Sequence, residues 1–348
     1  LAGITGDPFW ADHTEDVAFN TYPAAVMPDF RALRYITSPN MSISDSKNHH
    51  PGIDNRGPFL MMNPFSSRCC QHNHAQGWPY YSEHVFMATP DNGLAALLYC
   101  EAAVKAKVGN DGEVSIESKG HYPFDEITTF TMSMSKSHSF PFYLRVPAWC
   151  SNAKIKINGE QINLAFEPSS YIKINRLWKN GDKVELELPM KLQVQYWTAN
   201  KNSVSVNRGP LTYSLKIKEE YVKADSKKSA IGDSKWQENA DADKWPSFEI
   251  LPASAWNYGL HYKGEDPAAF FKVEKRKWPA DDFPFTQDKV PIVLTAKGKM
   301  IPSWKVDQYG LTDTLPQSPV NVSTKSETIE LIPMGAARLR ISAFPVVN

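Results

Sequence analysis

The chain has 348 residues, and its 38 lysine and arginine residues balance its 38 aspartate and glutamate residues, so the formal net charge is zero. This balance argues against a general electrostatic attraction to nucleic acid or to an anionic membrane surface, and no nucleic-acid partner is expected. The longest apolar stretch, residues 94–104, contains Glu101 and is shorter than the roughly 20 residues that a membrane helix needs. The length predicts two or three domains of about 150 residues each, with no membrane span.

The first predicted element is an amphipathic helix. Asp7 is a suitable N-cap and Pro8 suits the first helical position, and helical spacing then continues to Thr21. Residues 35–67 form an irregular polar stretch, which predicts a long loop of the kind that is usually functional or disordered. Helical spacing returns near Cys69 and predicts a second helix, which Gly77 and Pro79 either interrupt or begin.

After residue 93 the hydrophobic period changes from 3.6 residues to two, which predicts strands. The Asn158-Gly159 dipeptide between two alternating runs predicts a tight hairpin. Short strands separated by turns at such regular spacing are typical of a β-sandwich. The predicted strands of this region cover residues 94–99, 102–108, 113–118, 127–134, 142–146, 154–157 and 184–188.

The last third of the chain is less regular. A strand pair is predicted around Arg208-Gly209-Pro210, and it ends near Ile217. Residues 218–244 are charged and poor in large apolar side chains, which predicts an exposed loop or linker. Clear strands return only at residues 291–296 and 328–343, so this part is predicted to be a second β-rich module.

The segment Cys69-Cys70-Gln71-His72-Asn73-His74 carries the densest group of nucleophilic and metal-binding side chains. Thiolates and imidazoles are preferred zinc ligands, and a thiolate is also a strong nucleophile near neutral pH. The spacing matches no ordinary zinc finger. A structural role and a functional role both stay open on the residues alone, although a helix beginning here would favour an ionised thiol.

Paired carboxylates offer a second route to glycoside chemistry, since most glycoside hydrolases use two carboxyl groups. All the pairs in this chain lie in predicted turns or charged loops, which favours solvated surface positions. The pairs are Asp125-Glu126, Asp241 with Asp243, and Asp281-Asp282.

Ordered motifs along the chain resemble the β-L-arabinofuranosidase family of glycoside hydrolases, which includes many bacterial members. The resemblance begins at Cys69-Cys70-x-x-Asn73 and Gln76-Gly77-Trp78-Pro79 and continues through Ala88-Thr89-Pro90-Asp91-x-Gly93-Leu94-Ala95-Ala96. It extends through Tyr122-Pro123-Phe124-Asp125, Leu144-Arg145-Val146-Pro147-Ala148-Trp149-Cys150, Asn158-Gly159-Glu160, Arg208-Gly209-Pro210-Leu211 and Glu330-Leu331-Ile332-Pro333.

This resemblance implies a mainly β fold: β-sandwich domains preceded by a remnant of an (α/α)6 six-hairpin glycosidase barrel. It also implies a retaining mechanism in which a zinc-bound cysteine replaces the usual carboxylate nucleophile. Carried over by position, Cys69 is the nucleophile and a zinc ligand, and Cys70 is a second zinc ligand. Asn73, Gln76 and Trp78 become candidates for substrate contact.

The family's other zinc ligands and its acid/base glutamate lie upstream of the adjacent cysteines. No cysteine precedes Cys69 here and Glu15 is not part of a Glu-x-Cys motif, so we expect that segment of the barrel to precede Leu1. His72 and His74 are alternative ligands that the family does not require. Relatives often have histidine where Ala75 stands, which leaves the choice of substrate open.

The sequence therefore predicts the C-terminal portion of a barrel with its active-site loop at residues 1–86, a β-sandwich at 87–217 and a second β-rich module at 218–348. The expected substrate is a plant-type oligosaccharide or polysaccharide containing L-arabinose, and the expected cofactor of the complete protein is zinc. One alternative is a non-catalytic carbohydrate-binding or structural β module. Another is a thiol redox or metal-carrying protein. The cellular location stays open.

Overall fold

The computed structural model describes residues 1–50, 59–65, 68–229, 236 and 238–348. The protein is mainly β, with 38% strand and 12% helix. Contacts divide it into two compact units that are each discontinuous in sequence: unit 1 comprises residues 1–18 and 76–191, and unit 2 comprises residues 19–75 and 192–348. The boundaries of these two units differ from those of the three predicted segments, 1–86, 87–217 and 218–348. The three-segment division stays a prediction.

Among the described residues, every α-helix except the one at Pro267–Phe270 lies before Ala88, in agreement with the predicted change from helical to strand periodicity after residue 93. A π-helical turn (Val17–Thr21) follows α2, and a 3-10 turn (Met334–Ala336) follows the last long strand. Within the described residues, no helix has the length and hydropathy needed to cross a membrane. The α-helices are α1 (Ala2–Thr5), α2 (Phe9–Asp16), α3 (Tyr22–Ala24), α4 (Arg68–Ala75), α5 (Gly77–Glu83) and α6 (Pro267–Phe270).

The strands of the described residues are numbered here in chain order. They are β1 (Leu33–Arg34), β2 (Asn40–Met41), β3 (Met61–Met62), β4 (Phe86–Ala88), β5 (Leu94–Ala96), β6 (Ala102–Val108), β7 (Gly112–Lys119), β8 (Ile127–Ser133), β9 (His138–Val146), β10 (Lys154–Ile157), β11 (Glu160–Ile162), β12 (Ser170–Trp178), β13 (Lys183–Glu187), β14 (Leu192–Trp197), β15 (Ser203–Arg208), β16 (Leu211–Leu215), β17 (Glu219–Ala224), β18 (Ser247–Pro252), β19 (Tyr258–Leu260), β20 (Lys272–Lys275), β21 (Ile292–Met300), β22 (Glu327–Pro333) and β23 (Arg340–Ile341).

Unit 1 is a β-sandwich. One sheet has the order β11-β10-β13-β8-β7-β6 and the other the order β12-β9-β5-β4. The inner faces meet through aromatic side chains: the ring of Phe130 on β8 lies 5.4 Å from that of Phe142 on β9, in an edge-to-face arrangement that aromatic pairs favour. The predicted sandwich strands between residues 102 and 188 are confirmed, and their predicted ends agree with the observed ones to within a few residues.

Unit 2 is also built on antiparallel sheets. Its largest sheet has the order β14-β15-β16-β22-β21-β19, with β20 paired to β21, and a four-stranded sheet has the order β1-β3-β18-β17. Strands β2 and β23 form a third, two-stranded sheet. The strand pair predicted around Arg208-Gly209-Pro210 is confirmed as β15 and β16.

The prediction of an exposed loop or linker at residues 218–244 is wrong at its beginning. Residues Glu219–Ala224 form β17, which pairs along its whole length with β18 at the edge of its sheet. An edge strand needs a backbone partner on one side only and tolerates polar side chains, so its composition resembles that of a loop. Residues 230–235 and 237 of that prediction lie outside the described residues, as do residues 51–58 and 66–67 of the predicted 35–67 loop.

Candidate active site

The adjacent cysteines lie in the first turn of α4, in unit 2. Neighbouring residues of an α-helix point about 100° apart, and the two side chains accordingly meet different surroundings. Cys69 is exposed, whereas Cys70 is half-buried against the apolar cluster of Ala25, Val26 and Leu33. The two Sγ atoms lie 3.7 Å apart. The arrangement presents one thiol to solvent and anchors the other in the core.

A contact between Tyr22 and His74 fastens α4 within unit 2. The two rings stack with their centroids 3.9 Å apart and their planes 1° from parallel. The Tyr22 hydroxyl donates a hydrogen bond to the His74 carbonyl, and His74 Nε2 lies 3.1 Å from the Tyr22 carbonyl oxygen. Burial lowers the pKa of His74. The ring therefore stays neutral near pH 7, and its Nε2–H donates to that carbonyl.

The remaining predicted contact residues take different positions. Asn73 is exposed on α4, and its side-chain amide donates to the Cys69 carbonyl at 2.8 Å. Gln76 is exposed at the N-cap position of α5, and the half-buried Trp78 packs edge-to-face on Tyr81 with centroids 6.1 Å apart. Asn73 therefore belongs to the same unit as Cys69 and Cys70, whereas Gln76 and Trp78 belong to unit 1.

The cysteine pair matches two corners of a tetrahedral zinc site. With a Zn–S distance of about 2.3 Å, two thiolates at tetrahedral corners are separated by about 3.8 Å, and the observed Sγ separation is 3.7 Å. His74 is engaged by Tyr22, and no group of three or more His, Cys, Asp or Glu in the described part of the chain is placed to hold a metal. The chain thus offers a soft two-thiol donor set that fits zinc as half of a four-ligand site.

The other two cysteines have the character of buried thiols. Cys150 has no exposed surface, as is common for a free cysteine that packs as a small hydrophobic residue. Burial raises the pKa of Cys150, and burial together with the nearby Glu15 and Glu101 raises the pKa of Cys100 to about 11. Both thiols therefore stay protonated at neutral pH, which leaves α4 as the place for thiolate chemistry.

The paired carboxylates lie largely at the surface, as expected. Asp125, Asp241, Asp243, Asp281 and Asp282 are exposed. Glu126 is half-buried, and its carboxylate accepts a hydrogen bond from the Met190 backbone amide. These paired carboxylates therefore have the surroundings of surface and turn residues, as the sequence predicts.

Unit 1 contains a buried ionic group that sequence reasoning missed. Two-residue alternation along β9, with Leu144 and Val146 facing inward, predicts that Arg145 points outward, but Arg145 has no exposed surface. Its guanidinium forms ion pairs with Asp12 and Glu15 of α2. The expectation was wrong because β9 pairs in parallel with β5 and has both faces covered, so alternation no longer marks a solvent side.

The fold and the position of the adjacent cysteines define the class: a mainly β chain with a sandwich unit and a helix that presents an exposed thiol. Residues 1–83 match the model of the β-L-arabinofuranosidase GH127 catalytic domain, and residues 93–190 match that of the GH127 middle domain. Together these matches cover just over half of the chain, so the chain belongs to the GH127 β-L-arabinofuranosidase family. Every predicted site residue lies in the part matched by the catalytic domain.

Solved structures show the same fold. A protein described as a glycoside hydrolase matches 100% of this chain and 50% of its own, with a TM-score of 0.69 and 20% identity. A GH127 β-L-arabinofuranosidase from Geobacillus stearothermophilus T6 matches 99% of this chain and 47% of its own (TM-score 0.62, 19% identity). The GH127 β-arabinofuranosidase BT3674 matches 98% of this chain and 46% of its own, with a TM-score of 0.62 and 18% identity. The chain therefore spans about half the length of these structures.

A search of curated proteins found no match.

Proposed function

We propose that the chain is a portion of a retaining glycoside hydrolase acting on L-arabinofuranosides or related plant glycans, with Cys69 as its nucleophile. The observation that supports this most directly is the exposed Cys69 thiol, 3.7 Å from the Cys70 sulfur, within the segment matched by the GH127 catalytic domain. An accessible thiol on a rigid helix meets the first requirement of covalent catalysis, since the nucleophile must reach the reacting carbon.

Cys69 and Cys70 would hold a zinc ion in the active protein. When bound, zinc keeps a coordinated thiol ionised at neutral pH. The half-buried position of Cys70 against Ala25, Val26 and Leu33 suits a ligand that stays in place. The exposed position of Cys69 suits a ligand that also reacts.

The proposed reaction consists of two displacements at one carbon. The Cys69 sulfur forms a bond to the anomeric carbon while the bond to the leaving oxygen breaks, and a general acid gives that oxygen a proton. Water then attacks the same carbon, loses its proton to the conjugate base of the acid, and releases the Cys69 thiolate. Each displacement inverts the anomeric centre, so the product keeps the original configuration.

The side chains around α4 would hold this nucleophile in position. The Tyr22–His74 contact ties the last turn of α4 to α3, and the Asn73 amide binds the Cys69 carbonyl. Covalent catalysis gains from such preorganisation because a small misplacement of the attacking atom slows the reaction strongly.

A covalent adduct tests the proposal. p-Nitrophenyl β-L-arabinofuranoside has a leaving group that departs without much help from an acid, so it reports on the nucleophile. After incubation of the 348-residue chain with this compound and zinc, peptide mass spectrometry should find a pentosyl group on the peptide that carries Cys69. Cys69→Ala should remove the adduct, and Cys100→Ala is the matched control that should retain it.

Two results would contradict the proposed nucleophile: no pentosyl adduct in the wild-type chain, or an adduct that persists in Cys69→Ala. A chain that binds arabinofuranosides without forming any adduct would instead support the alternative of a non-catalytic carbohydrate-binding module.

A further inference from the structure

Unit 1 contains a cavity that the proposed hydrolysis does not use. It has a volume of about 600 Å³ and lies between α1 and the four-stranded sheet of the sandwich. Its size falls within the range of roughly 300–1,000 Å³ that is typical of small-molecule sites. The residues that line it include Tyr143, Tyr171, the small residue Ala95 and the acidic residue Asp91.

The register of the sheet explains why these side chains share one face. Tyr143 on β9 lies between Ala95 on β5 and Lys173 on β12 in a single row across the strands. Tyr171 is two residues before Lys173 on β12, so it points to the same side. Alanine at position 95 leaves open the space that a larger side chain beside Tyr143 would fill.

A polar network fixes the Asp91 carboxylate at this cavity. Asp91 accepts hydrogen bonds from Thr89 Oγ1 at 2.5 Å, from the Tyr143 hydroxyl at 2.7 Å and from Lys173 Nζ at 2.9 Å. Lys173 Nζ also lies 5.4 Å from the centroid of the Tyr143 ring. Asp91 and Lys173 are both exposed, and exposed ion pairs contribute little to folding stability. The network therefore orients a carboxylate and an aromatic ring more than it stabilises the sandwich.

The Tyr171 hydroxyl has no hydrogen-bond partner among the described residues, although its ring is half-buried. Burial raises the pKa of Tyr171, so its hydroxyl stays a neutral donor and acceptor near pH 7. A half-buried hydroxyl without a protein partner in a cavity wall is available to a ligand.

We propose that this cavity binds a neutral sugar residue of a glycan. Asp91 is the one charged residue among those that line the cavity, and Lys173 neutralises it, so the lining presents no net charge to an ionic ligand. The carboxylate oxygens of Asp91 accept from sugar hydroxyls, and the Tyr171 hydroxyl exchanges hydrogen bonds with them. The rings of Tyr143 and Tyr171 supply the apolar surface on which the C–H face of a sugar packs. The Ala88–Ala96 motif thus provides a binding site in addition to building a turn.

A binding titration tests this site independently of hydrolysis. All variants are made in the 348-residue chain with Cys69→Ala. Without the proposed nucleophile, a covalent reaction with the sugar cannot contribute to the measured binding. Calorimetric titration with a neutral L-arabino-oligosaccharide should show binding. Tyr171→Phe should weaken it about three- to tenfold through loss of one hydrogen bond. Ala95→Trp should abolish it by filling the cavity, because Ala95 lies directly beside Tyr143 on the cavity face of the sheet.

Tyr196→Phe is the matched control, since Tyr196 is an exposed tyrosine of unit 2 and should leave the affinity unchanged. Circular dichroism and thermal unfolding establish that each variant is folded. The proposal is overturned if no neutral oligosaccharide binds, if an acidic galacturonic oligomer binds more tightly, or if affinity survives in both Tyr171→Phe and Ala95→Trp.

Discussion

The guanidinium of Arg145 lies 2.5 Å from the Glu15 carboxylate, and neither side chain has any exposed surface. The Tyr122 hydroxyl donates to the other Glu15 oxygen at 2.6 Å, and Arg145 Nε donates to the Leu97 carbonyl at 2.5 Å. Burial raises the pKa of Glu15 in spite of its cationic partner. This pair ties α2 to the sandwich within unit 1.

Replacement of Arg145 should therefore destabilise unit 1 strongly. Arg145→Met leaves the buried Glu15 and the mostly buried Asp12 without a cation, and breaking a buried pair in this way costs about 3–5 kcal/mol. Chemical denaturation measures the free energy of unfolding. The double variant Glu15→Gln/Arg145→Met should recover part of the loss, because it removes one of the stranded charges. Equal stability of Arg145→Met and wild type would contradict the buried pair.

The Tyr22–His74 contact predicts a pH dependence of stability. The pKa of His74 is lowered in the folded state, so the unfolded chain binds its proton more readily. The contribution is complete above the unfolded pKa of about 6.5 and is lost as pH falls through that value toward the folded pKa. Between pH ~7.5 and ~5.5, wild type should lose stability relative to His74→Phe, which keeps a stacked ring but cannot be protonated.

His72→Phe is the matched control for this measurement, since His72 is exposed on the same helix. It should follow the wild-type pH profile. If His74→Phe and wild type show parallel profiles, the buried neutral state of His74 is wrong.

The four thiols should differ in reactivity. Cys69 is exposed, Cys70 and Cys100 are half-buried, and Cys150 is excluded from solvent. Alkylation requires the thiolate form, and burial raises the pKa of Cys100 and Cys150. Iodoacetamide at pH ~7.5 should therefore label Cys69 first and Cys150 only after unfolding. Peptide mass spectrometry at timed intervals gives the order. Rapid labelling of Cys150 in the native chain would contradict its burial.

Zinc binding should depend on both adjacent cysteines and should be weak in the 348-residue chain. A tetrahedral site needs four donors, and the described residues bring together only the two thiols of Cys69 and Cys70. Equilibrium dialysis should show lower zinc affinity for Cys69→Ala and Cys70→Ala, with Cys100→Ala unchanged. Tight binding that survives Cys70→Ala would place the metal elsewhere.

Turnover should separate the two cysteines further. In the complete protein, Cys69→Ala should abolish arabinofuranoside hydrolysis because the proposed nucleophile is gone. Cys70→Ala should act through loss of zinc, so excess zinc should restore part of its activity. If the 348-residue chain is a portion of the enzyme, as proposed, it should hydrolyse arabinofuranosides slowly, because loss of an acid/base group costs about 10²- to 10⁴-fold. Steady-state assays with zinc content measured for each variant test these expectations.

Gly93 should be intolerant of substitution for a reason other than its dihedral angles. A Cβ at this position would lie 2.2 Å from the Pro141 carbonyl oxygen, so the backbone of β9 would have to move. Gly93→Ala should therefore cost about 1–3 kcal/mol or more in unfolding free energy. Gly181→Ala is the comparison, because its added Cβ meets nothing within 4 Å and only its positive φ of 85° is unfavourable.

Local sequence signals determined much of unit 1. The alternation in Lys154–Ile157 and Lys183–Glu187 places isoleucine, valine and leucine on the buried face of adjacent strands β10 and β13. At the Asn158-Gly159 turn the φ angles are 52° and 87°, as a two-residue hairpin turn requires. These features depend on neighbouring residues only, which is why periodicity and turn chemistry suffice to predict them.

The motif around the adjacent cysteines also indicated the family. Only the tertiary structure decided the environment of each side chain in and around that motif. It left Cys69 exposed, packed the half-buried Cys70 against Ala25, Val26 and Leu33, and joined His74 to Tyr22 over a separation of 52 residues. It also buried Arg145 against Asp12 and Glu15 of α2. Each of these contacts joins segments that are distant along the chain, and their pairing depends on the packing of whole elements, which local periodicity does not encode.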